Sequence, residues 1–494
     1  FSKKDDGSMS EAMQTLRQAI RPGVLVKYLG QLALMLAILS LLPLGVSVAF
    51  GEYAIALRHL LLIPALLLLF FLSHRLPTPS QLQQNEALVI VALAFMLSPL
   101  LSSVTMTAAG LDWGEALFES ISAITTTGLT TVDELQQRSP TFLFTRAWLQ
   151  WYGGLGIVVL SIALMASYQA ASRRLAEPPV GEGLATTTRT YARHILGVYL
   201  SLTLLGVLLL SFSGMSLFDA VTHALAAVST GGFSPYDASL GHFDNPLAAA
   251  NVVLIGLAGA VPLHLYYRFR QRGLRSTLQD IELRSLVVLS LLVCGALSLF
   301  LHHAGMGWSE ALFHGMIQGL SAQSTSGFSS LDIAALDDGS KLTLIASMFI
   351  GGGLGSTAGG IKLLRLLILM RLIQLLLQRS ALPSHAVSPP RLAGRPLEEG
   401  DIQAALLLIL LFGMMVFASW LIFIAYGYAP LDALFEVVSA SATVGLSSGI
   451  TGAQLEPELQ ALLCFNMLAG RVEIIALLVV LYPPTWLGRR TVSA

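Results

Sequence analysis

Long apolar runs alternate with short polar connections along almost the whole chain. A membrane-spanning helix needs about 20 predominantly apolar residues, and ten runs are long enough to be predicted as spans. Their expected bounds are 24–50, 54–73, 86–108, 140–168, 191–212, 246–268, 283–303, 342–379, 402–426 and 459–483. Polar, proline-containing loops are expected over 169–190 and 379–400. The pattern therefore predicts an all-α polytopic membrane protein.

The composition supports a membrane location. Hydrophobic residues make up 54% of the 494 residues and charged residues 12%, whereas soluble domains carry about 25% charged residues. Cys294 and Cys464 lie inside apolar runs, so no disulfide is predicted. The net charge of −1 comes without a basic block, and no nucleic-acid partner is expected. A polar stretch of mixed charge precedes the first apolar run, so no cleavable signal peptide is expected.

Lysine and arginine cluster in the connections on one side of the membrane. The basic residues on that side include Lys3, Lys4, Arg17, Arg21, Lys27, Arg75, Arg173, Arg174, Arg268, Arg270, Arg272, Arg275, Arg379, Arg391, Arg395, Arg489 and Arg490. The positive-inside rule then predicts that both termini are cytoplasmic. The opposite connections are acidic, which would concentrate cations at the outer mouth of a pore. Their acidic residues are Asp112, Asp133, Glu134, Asp237, Asp244, Asp332, Asp337 and Asp338.

One short motif recurs four times in the outer connections. The copies are SAITTTGLT from Ser122, AAVSTGGFS from Ala226, SAQSTSGFS from Ser321 and SASATVGLS from Ser439. In every copy a glycine follows six residues after the first position, and a threonine stands two residues before that glycine. The aligned glycines are Gly128, Gly232, Gly327 and Gly445.

A short amphipathic segment precedes each copy. Thirteen residues before the glycine stand Glu115, Asp219 and Asp432 in three copies, and His314 in the third copy along the chain. About ten helical residues reach roughly 15 Å, half of a hydrocarbon core of ~30 Å. The sequence therefore predicts four repeats around one pore, each with a span, a half-helix, a filter loop and a second span, plus two N-terminal transmembrane helices.

Four such loops in register predict a cation filter. Irregular backbone at membrane depth must be covered by protein or water, and loops around one axis can replace the hydration shell of an ion with their carbonyls. Glycine permits the positive φ that this alignment requires, and the half-helix C-termini favour a cation. The residues expected to bind the ion are Thr126, Thr127, Gly128, Thr230, Gly231, Gly232, Thr325, Ser326, Gly327, Thr443, Val444 and Gly445.

A glycine-rich stretch, GGGLGSTAGG, interrupts the eighth apolar run at 351–360. Each glycine costs a helix about 1 kcal/mol relative to alanine, and one helix over 38 residues would be roughly 57 Å long. We therefore predict a loop beneath the third filter loop that obstructs the pore until cytosolic partners pull the span aside. Close packing of helices through small residues is the alternative. The predicted gate residues are Gly351, Gly352, Gly353, Gly355, Ser356, Thr357, Gly359, Gly360 and Lys362.

Three segments besides the four loops resemble a known family. They are QWYGGLGIVVLSIAL from Gln150, GGGLGSTAGGIK from Gly351 and CFNMLAGRVEI from Cys464. Together these segments resemble the TrkH/KtrB/HKT superfamily of potassium transporters, and the two extra N-terminal helices are similar to its bacterial TrkH branch. The resemblance implies potassium uptake across the bacterial inner membrane, with potassium bound in the filter and Gly128 favouring potassium over sodium. It also implies a homodimer with one pore per subunit and a separate cytosolic TrkA-type nucleotide-binding regulatory subunit.

Two charged residues, Arg471 and Glu473, lie in the last predicted span. Charges at that depth are expensive and tend to be functional. The resemblance implies that Arg471 is a cation facing the pore on the inner side of the filter, whereas a structural ion pair between helices is the alternative.

The repeats give the domain boundaries. We predict an N-terminal two-helix segment over 9–80 and four pore repeats over 81–175, 176–275, 276–385 and 386–490, the third with a broken second helix. No Ser/His/Asp or paired-acid constellation recurs in the membrane, so an enzyme is not expected. A non-pore secondary transporter would show inverted repeats, whereas these four run in one orientation. Channel-like passage and coupling to sodium or protons both stay open.

Overall fold

The computed structural model describes residues 19–77, 82–168, 184–380 and 390–487. Within these ranges the chain is almost entirely helical, and its one pair of strands joins Arg391–Leu392 to Arg395–Pro396 in antiparallel register. The α-helices are α1 Pro22–Leu39, α2 Leu41–Ala49, α3 Tyr53–His74, α4 Gln84–Met106, α5 Trp113–Ile124, α6 Pro140–Tyr168, α7 Leu184–Phe212, α8 Leu217–Val228, α9 Pro246–Ala260, α10 Leu263–Leu278, α11 Ile281–His303, α12 Trp308–Gln323, α13 Asp338–Phe349, α14 Leu363–Ser380, α15 Glu399–Ala425, α16 Pro430–Ser441, α17 Pro457–Arg471, α18 Ile475–Leu481 and α19 Pro484–Leu487. Short 3-10 turns occupy Thr107–Ala109, Leu135–Gln137 and Ser239–His242.

The prediction of a polytopic helical membrane protein is confirmed. In the described part of the chain, six helices are long and apolar enough to cross a membrane, and two bent helix pairs raise this number to eight. The helix α7 begins at Leu184, inside the loop predicted over 169–190. Several residues used to orient the chain lie outside the described ranges: Lys3, Lys4, Arg17, Arg173, Arg174, Arg489 and Arg490.

Two of the predicted spans are bent rather than straight. The span expected over 246–268 divides into α9 and α10, which meet at 84°, and the span expected over 459–483 divides into α17 and α18, which meet at 112°. The first bend lies at Pro262, because proline lacks an amide hydrogen and disfavours the α conformation of the residue before it. Val261 accordingly has an extended ψ of 135°. The second bend follows Arg471, where Glu473 adopts a positive φ of 56°.

Four short helices, α5, α8, α12 and α16, form the half-helices of the repeats, and we call them the pore helices. Three of them have 12 residues and α12 has 16. The expectation that the third half-helix begins with His314 is wrong, since α12 begins at Trp308 and carries Glu310 in its first turn. Each pore helix therefore has an acid in its first turn, where it interacts favourably with the helix dipole: Glu115, Asp219, Glu310 and Asp432.

The eighth predicted span is broken in the middle. Its first half is α13 and its second half is α14, and residues 350–362 between them are not helical. In this fold-back the chain loops around and returns beside its own start. Ile350 and Ile361 lie side by side there and form a parallel bridge. A Cβ on Gly351 would collide with the carbonyl oxygen of Gly359. The fold-back therefore requires glycine at 351, for reasons of space.

Candidate ion filter and the loop beneath it

Each pore helix ends in the same turn. The threonine two residues before the aligned glycine of each loop has φ of 51–55°, and the glycine itself has φ of 71–95°. The amide of the residue after each threonine donates to a carbonyl five residues back, at 2.8–2.9 Å, and this 6→1 bond is typical of a Schellman ending. These donors are Thr127, Gly231, Ser326 and Val444. A positive φ was expected only at glycine, and the left-handed threonines are a finding of the structure.

The four loops close into a ring. A Cβ on Gly128 would lie closer than 3.0 Å to the carbonyl oxygen of Gly231 in the second loop. The same relation holds between Gly232 and Ser326, between Gly327 and Val444, and between Gly445 and Thr127, which returns to the first loop. Each glycine thus packs against a backbone carbonyl of the next loop, and the order of the loops around the ring follows the chain. Any side chain at these glycines would push a carbonyl of the ring aside.

One wall of the ring is supported from outside it. Gln150 on α6 donates its side-chain amide to the carbonyl of Gly231 and accepts from the backbone amide of Phe233 at 3.2 Å. One carbonyl of the second loop is therefore already hydrogen-bonded to a protein side chain. The motif QWYGGLG, which begins at Gln150, thereby contacts the filter directly.

A cavity of about 650 Å³ opens on one face of the ring, and we call it the vestibule. All four ring glycines contribute to its lining, together with Asp133, Asp237 and Asp332. These aspartates are the acids that follow five residues after the first three glycines, and all three are exposed. The vestibule is therefore an acidic, water-accessible chamber over the ring.

One residue of the vestibule wall, Tyr236, contacts a buried acid. Burial and the nearby carboxylate of Asp219 raise the pKa of Tyr236 to about 12. The phenol, which is protonated at neutral pH as in any tyrosine, donates to Asp219 at 3.1 Å. This bond fixes the second loop to the first turn of its own pore helix.

A fourfold set of buried polar residues lies behind the ring, and sequence reasoning missed it. The residue nine positions before each glycine is Glu119, His223, Gln318 or Glu436, and all four are buried in their pore helices. Each is hydrogen-bonded to the residues that follow the glycine in its own loop. Glu119 accepts from the amide of Thr131 at 3.0 Å, and His223 Nε2 lies 3.1 Å from the hydroxyl of Ser234. The signal was a polar or charged residue at the same register of all four half-helices, nine residues before the glycine.

The first of these residues is paired with a buried cation. Arg146 on α6 forms a 2.8 Å ion pair with Glu119, and the two side chains are 1% and 0% exposed. Its guanidinium lies 3.8 Å from the ring centroid of Phe233 in the second loop, a cation–π contact. Arg146 therefore ties the first pore helix to the second loop.

The glycine-rich loop lies beneath the ring, at the C-terminal ends of three pore helices. The amide of Gly359 donates to the side chain of Thr325 at 2.8 Å, and the Thr357 hydroxyl contacts the carbonyl of Val228 at 3.1 Å. A Cβ on Gly359 would collide with the carbonyl of Ala442 in the fourth loop. The loop is therefore buried against three of the four filter loops, on the side opposite the vestibule.

Arg471 contacts this loop directly. Its guanidinium donates to the carbonyl of Thr357 at 2.8 Å and to that of Gly153 on α6 at 3.5 Å. The side chain is 2% exposed, and among the described residues no carboxylate lies within salt-bridge distance of it. Glu473 pairs instead with Arg365 on α14, at 2.7 Å. The structural ion pair that was considered for this region therefore exists, but it does not include Arg471.

Comparisons with known proteins agree with this architecture. The sequence profile of a family described as "TrkH: Cation transport protein" matches residues 62–483. The potassium uptake protein TrkH of Salmonella typhimurium is 32% identical over 75% of this chain and 79% of its own length. The potassium uptake protein TrkI of Halomonas elongata is 30% identical over 94% of this chain and 96% of its own length.

A solved structure extends this similarity to three dimensions. The crystal structure of the potassium transporter TrkH from Vibrio parahaemolyticus matches with a TM-score of 0.85 and 26% identity, and covers 95% of this chain and 100% of that one. Since the profile matches far more than half of the residues, the chain belongs to the TrkH family of cation transport proteins.

Proposed function

We propose that this protein takes up potassium across the bacterial inner membrane through the ring of four filter loops. The closure of the four loops into one ring, glycine against carbonyl, is the observation that carries the proposal. Relatives named as Trk potassium uptake proteins support potassium as the ion. Rubidium, which has similar size and charge, is expected to pass as well.

The ion would bind among the backbone carbonyls of the ring. The three residues proposed in each loop end at its glycine, and they follow a pore helix whose C-terminus carries a partial negative charge. Carbonyl oxygens can replace the hydration shell of a potassium ion. The carbonyl of Gly231 is shared with Gln150, and the third loop carries two serines, so we expect a less symmetric and less selective filter than that of a potassium channel.

The glycine-rich loop is proposed to be the gate. Support comes from its position: Thr325, Val228 and Ala442, which it touches, belong to three different filter loops. Arg471 holds the loop through Thr357 and adds a positive charge beneath the filter. A cation leaving the filter inward would meet both obstacles, so opening requires that the loop and Arg471 separate.

Release of the gate is proposed to come from the cytoplasm. The loop continues directly into α14, whose last residue is Ser380, so a pull on this helix would draw the loop away from the ring. A TrkA-type nucleotide-binding subunit on the inner side would supply that pull, and the transporter would act as a homodimer with one pore in each subunit.

The test is ion flux into proteoliposomes that contain the purified protein, under separately imposed potassium, sodium and proton gradients. The variant Gly128→Ser should raise sodium permeation relative to potassium, because its Cβ displaces the carbonyl of Gly231. Unchanged permeability ratios after substitution at all four ring glycines would contradict the filter. Uptake that requires a sodium or proton gradient would favour the alternative, an ion-coupled symporter.

A further inference from the structure

The four polar residues behind the ring differ in charge. Glu119 is neutralised by Arg146, whereas His223 and Gln318 carry no formal negative charge. Glu436 in α16 is 0% exposed, and among the described residues no basic side chain lies within salt-bridge distance of it. The fourth repeat therefore holds a buried carboxylate without a compensating cation.

Several hydrogen-bond donors surround the carboxyl group of Glu436. Its carboxylate accepts from the backbone amides of Ser448 at 2.9 Å and Thr451 at 3.2 Å. The hydroxyls of Ser447 and Ser448 reach it at 2.9 and 3.0 Å, and the Thr451 hydroxyl contacts it as well. An ionised carboxylate can only accept hydrogen bonds, and it offers about four lone-pair sites. The two backbone amides can only donate, so they favour a carboxylate, and the hydroxyls can donate to it as well, although that of Ser448 also lies 3.0 Å from the carbonyl of Asp432.

This charge lies directly behind the ion path. Ser447 and Thr451, which donate to Glu436, also line the vestibule. One layer of residues thus separates the carboxylate from the chamber that an entering cation must cross. The vestibule aspartates are exposed to water, and exposed charges are screened by salt far more than buried ones.

We propose that the unpaired charge of Glu436 sets the affinity with which the vestibule and the outer end of the filter capture a cation. The proposal rests on the proposed potassium filter. Glu436 acts through the field across the vestibule wall and through the position of the Ser447–Thr451 limb, so it is a positioning residue rather than an ion ligand.

A second site allows the mirror experiment. Gln318 stands at the same register in the third repeat. With its amide oxygen facing the loop, it accepts from the amides of Ser330 at 3.2 Å and Leu331 at 3.1 Å and from the Ser329 hydroxyl at 2.7 Å. These three groups could donate to a carboxylate in the same place. A charge can therefore be removed at 436, added at 318, or moved from one to the other.

The experiment measures radioactive rubidium uptake into proteoliposomes across a range of rubidium concentrations and at low and high ionic strength. The variant Glu436→Gln should raise the half-saturating concentration roughly tenfold, the effect of a unit charge about 10 Å away at an effective dielectric constant of about 20. Its effect should persist at high salt. The comparison variant Asp332→Asn should raise the half-saturating concentration less, and this smaller increase should disappear at high salt.

The added charge supplies the decisive comparison. Gln318→Glu should lower the half-saturating concentration, and the double variant Glu436→Gln with Gln318→Glu should return it towards the parent value. The proposal is overturned if Gln318→Glu leaves the half-saturating concentration unchanged. It is also overturned if the double variant has a half-saturating concentration as high as that of Glu436→Gln or higher. If the ring-glycine variants change the permeability ratio but Glu436→Gln leaves the half-saturating concentration unchanged, the role of Glu436 is refuted. The proposed filter would still stand.

Discussion

Arg471 offers the sharpest test of the proposed gate, because its contacts are few and well defined. Its guanidinium is bonded to the carbonyl of Thr357 in the glycine-rich loop and to that of Gly153 on α6. We expect Arg471→Met, which keeps most of the side-chain volume, to release the loop and raise the basal flux of rubidium without a regulatory partner.

The magnitude follows from the bond that is lost. A hydrogen bond to a charged group contributes about 1.5–3 kcal/mol, which corresponds to roughly 10- to 150-fold in an equilibrium between closed and open loop. The 3.5 Å contact with Gly153 is at the limit of a hydrogen bond and adds little. If the closed state is the resting state, flux should rise by at least about tenfold at the lower end of this range.

Two companion variants separate the possible causes. Arg471→Lys keeps the charge but cannot reproduce the bond to Thr357 in the same geometry, so raised flux in both variants would identify the tether as the obstacle. Raised flux in the methionine variant alone would identify the charge. Arg365→Met is the control, since it breaks the ion pair with Glu473 and should lower the melting temperature.

The assay is rubidium uptake into proteoliposomes, with the melting temperature measured on the same preparations. The gate assignment of Arg471 would be refuted by a stable methionine variant whose flux equals that of the parent protein. A variant that loses both stability and flux would show that Arg471 serves the fold.

Two further predictions concern the elements on either side of the filter. Arg146→Met should leave Glu119 as an unpaired buried charge and destabilise the protein by about 3–5 kcal/mol, and the added change Glu119→Gln should recover much of the lost melting temperature; no recovery would mean that Arg146 acts mainly through its packing on Phe233. Deleting part of 351–360 should raise flux and weaken its dependence on a cytosolic partner, whereas a joint fall in expression and flux would show that these glycines only pack helices.

Features that depend on short stretches of chain could be predicted from the sequence. Apolar run length predicted the helices, since a span needs about 20 apolar residues whatever its neighbours are. The repeated motif predicted which loops correspond, and the glycines at 128, 232, 327 and 445 have the positive φ that their residue type permits. Six glycines in one stretch predicted a non-helical segment, and residues 350–362 are not helical.

Contacts between residues far apart in the chain could not be predicted from local patterns. The sequence contains Arg471 and Thr357, but only the fold brings them to 2.8 Å across 114 positions, and only the fold closes the four loops into a ring. The left-handed threonines follow from the same cause, because a β-branched residue adopts positive φ only where its surroundings enforce it. The bend in span 246–268 lies at Pro262, a residue the sequence already shows, whereas the bend in span 459–483 goes with the positive φ of Glu473, which no local pattern predicts.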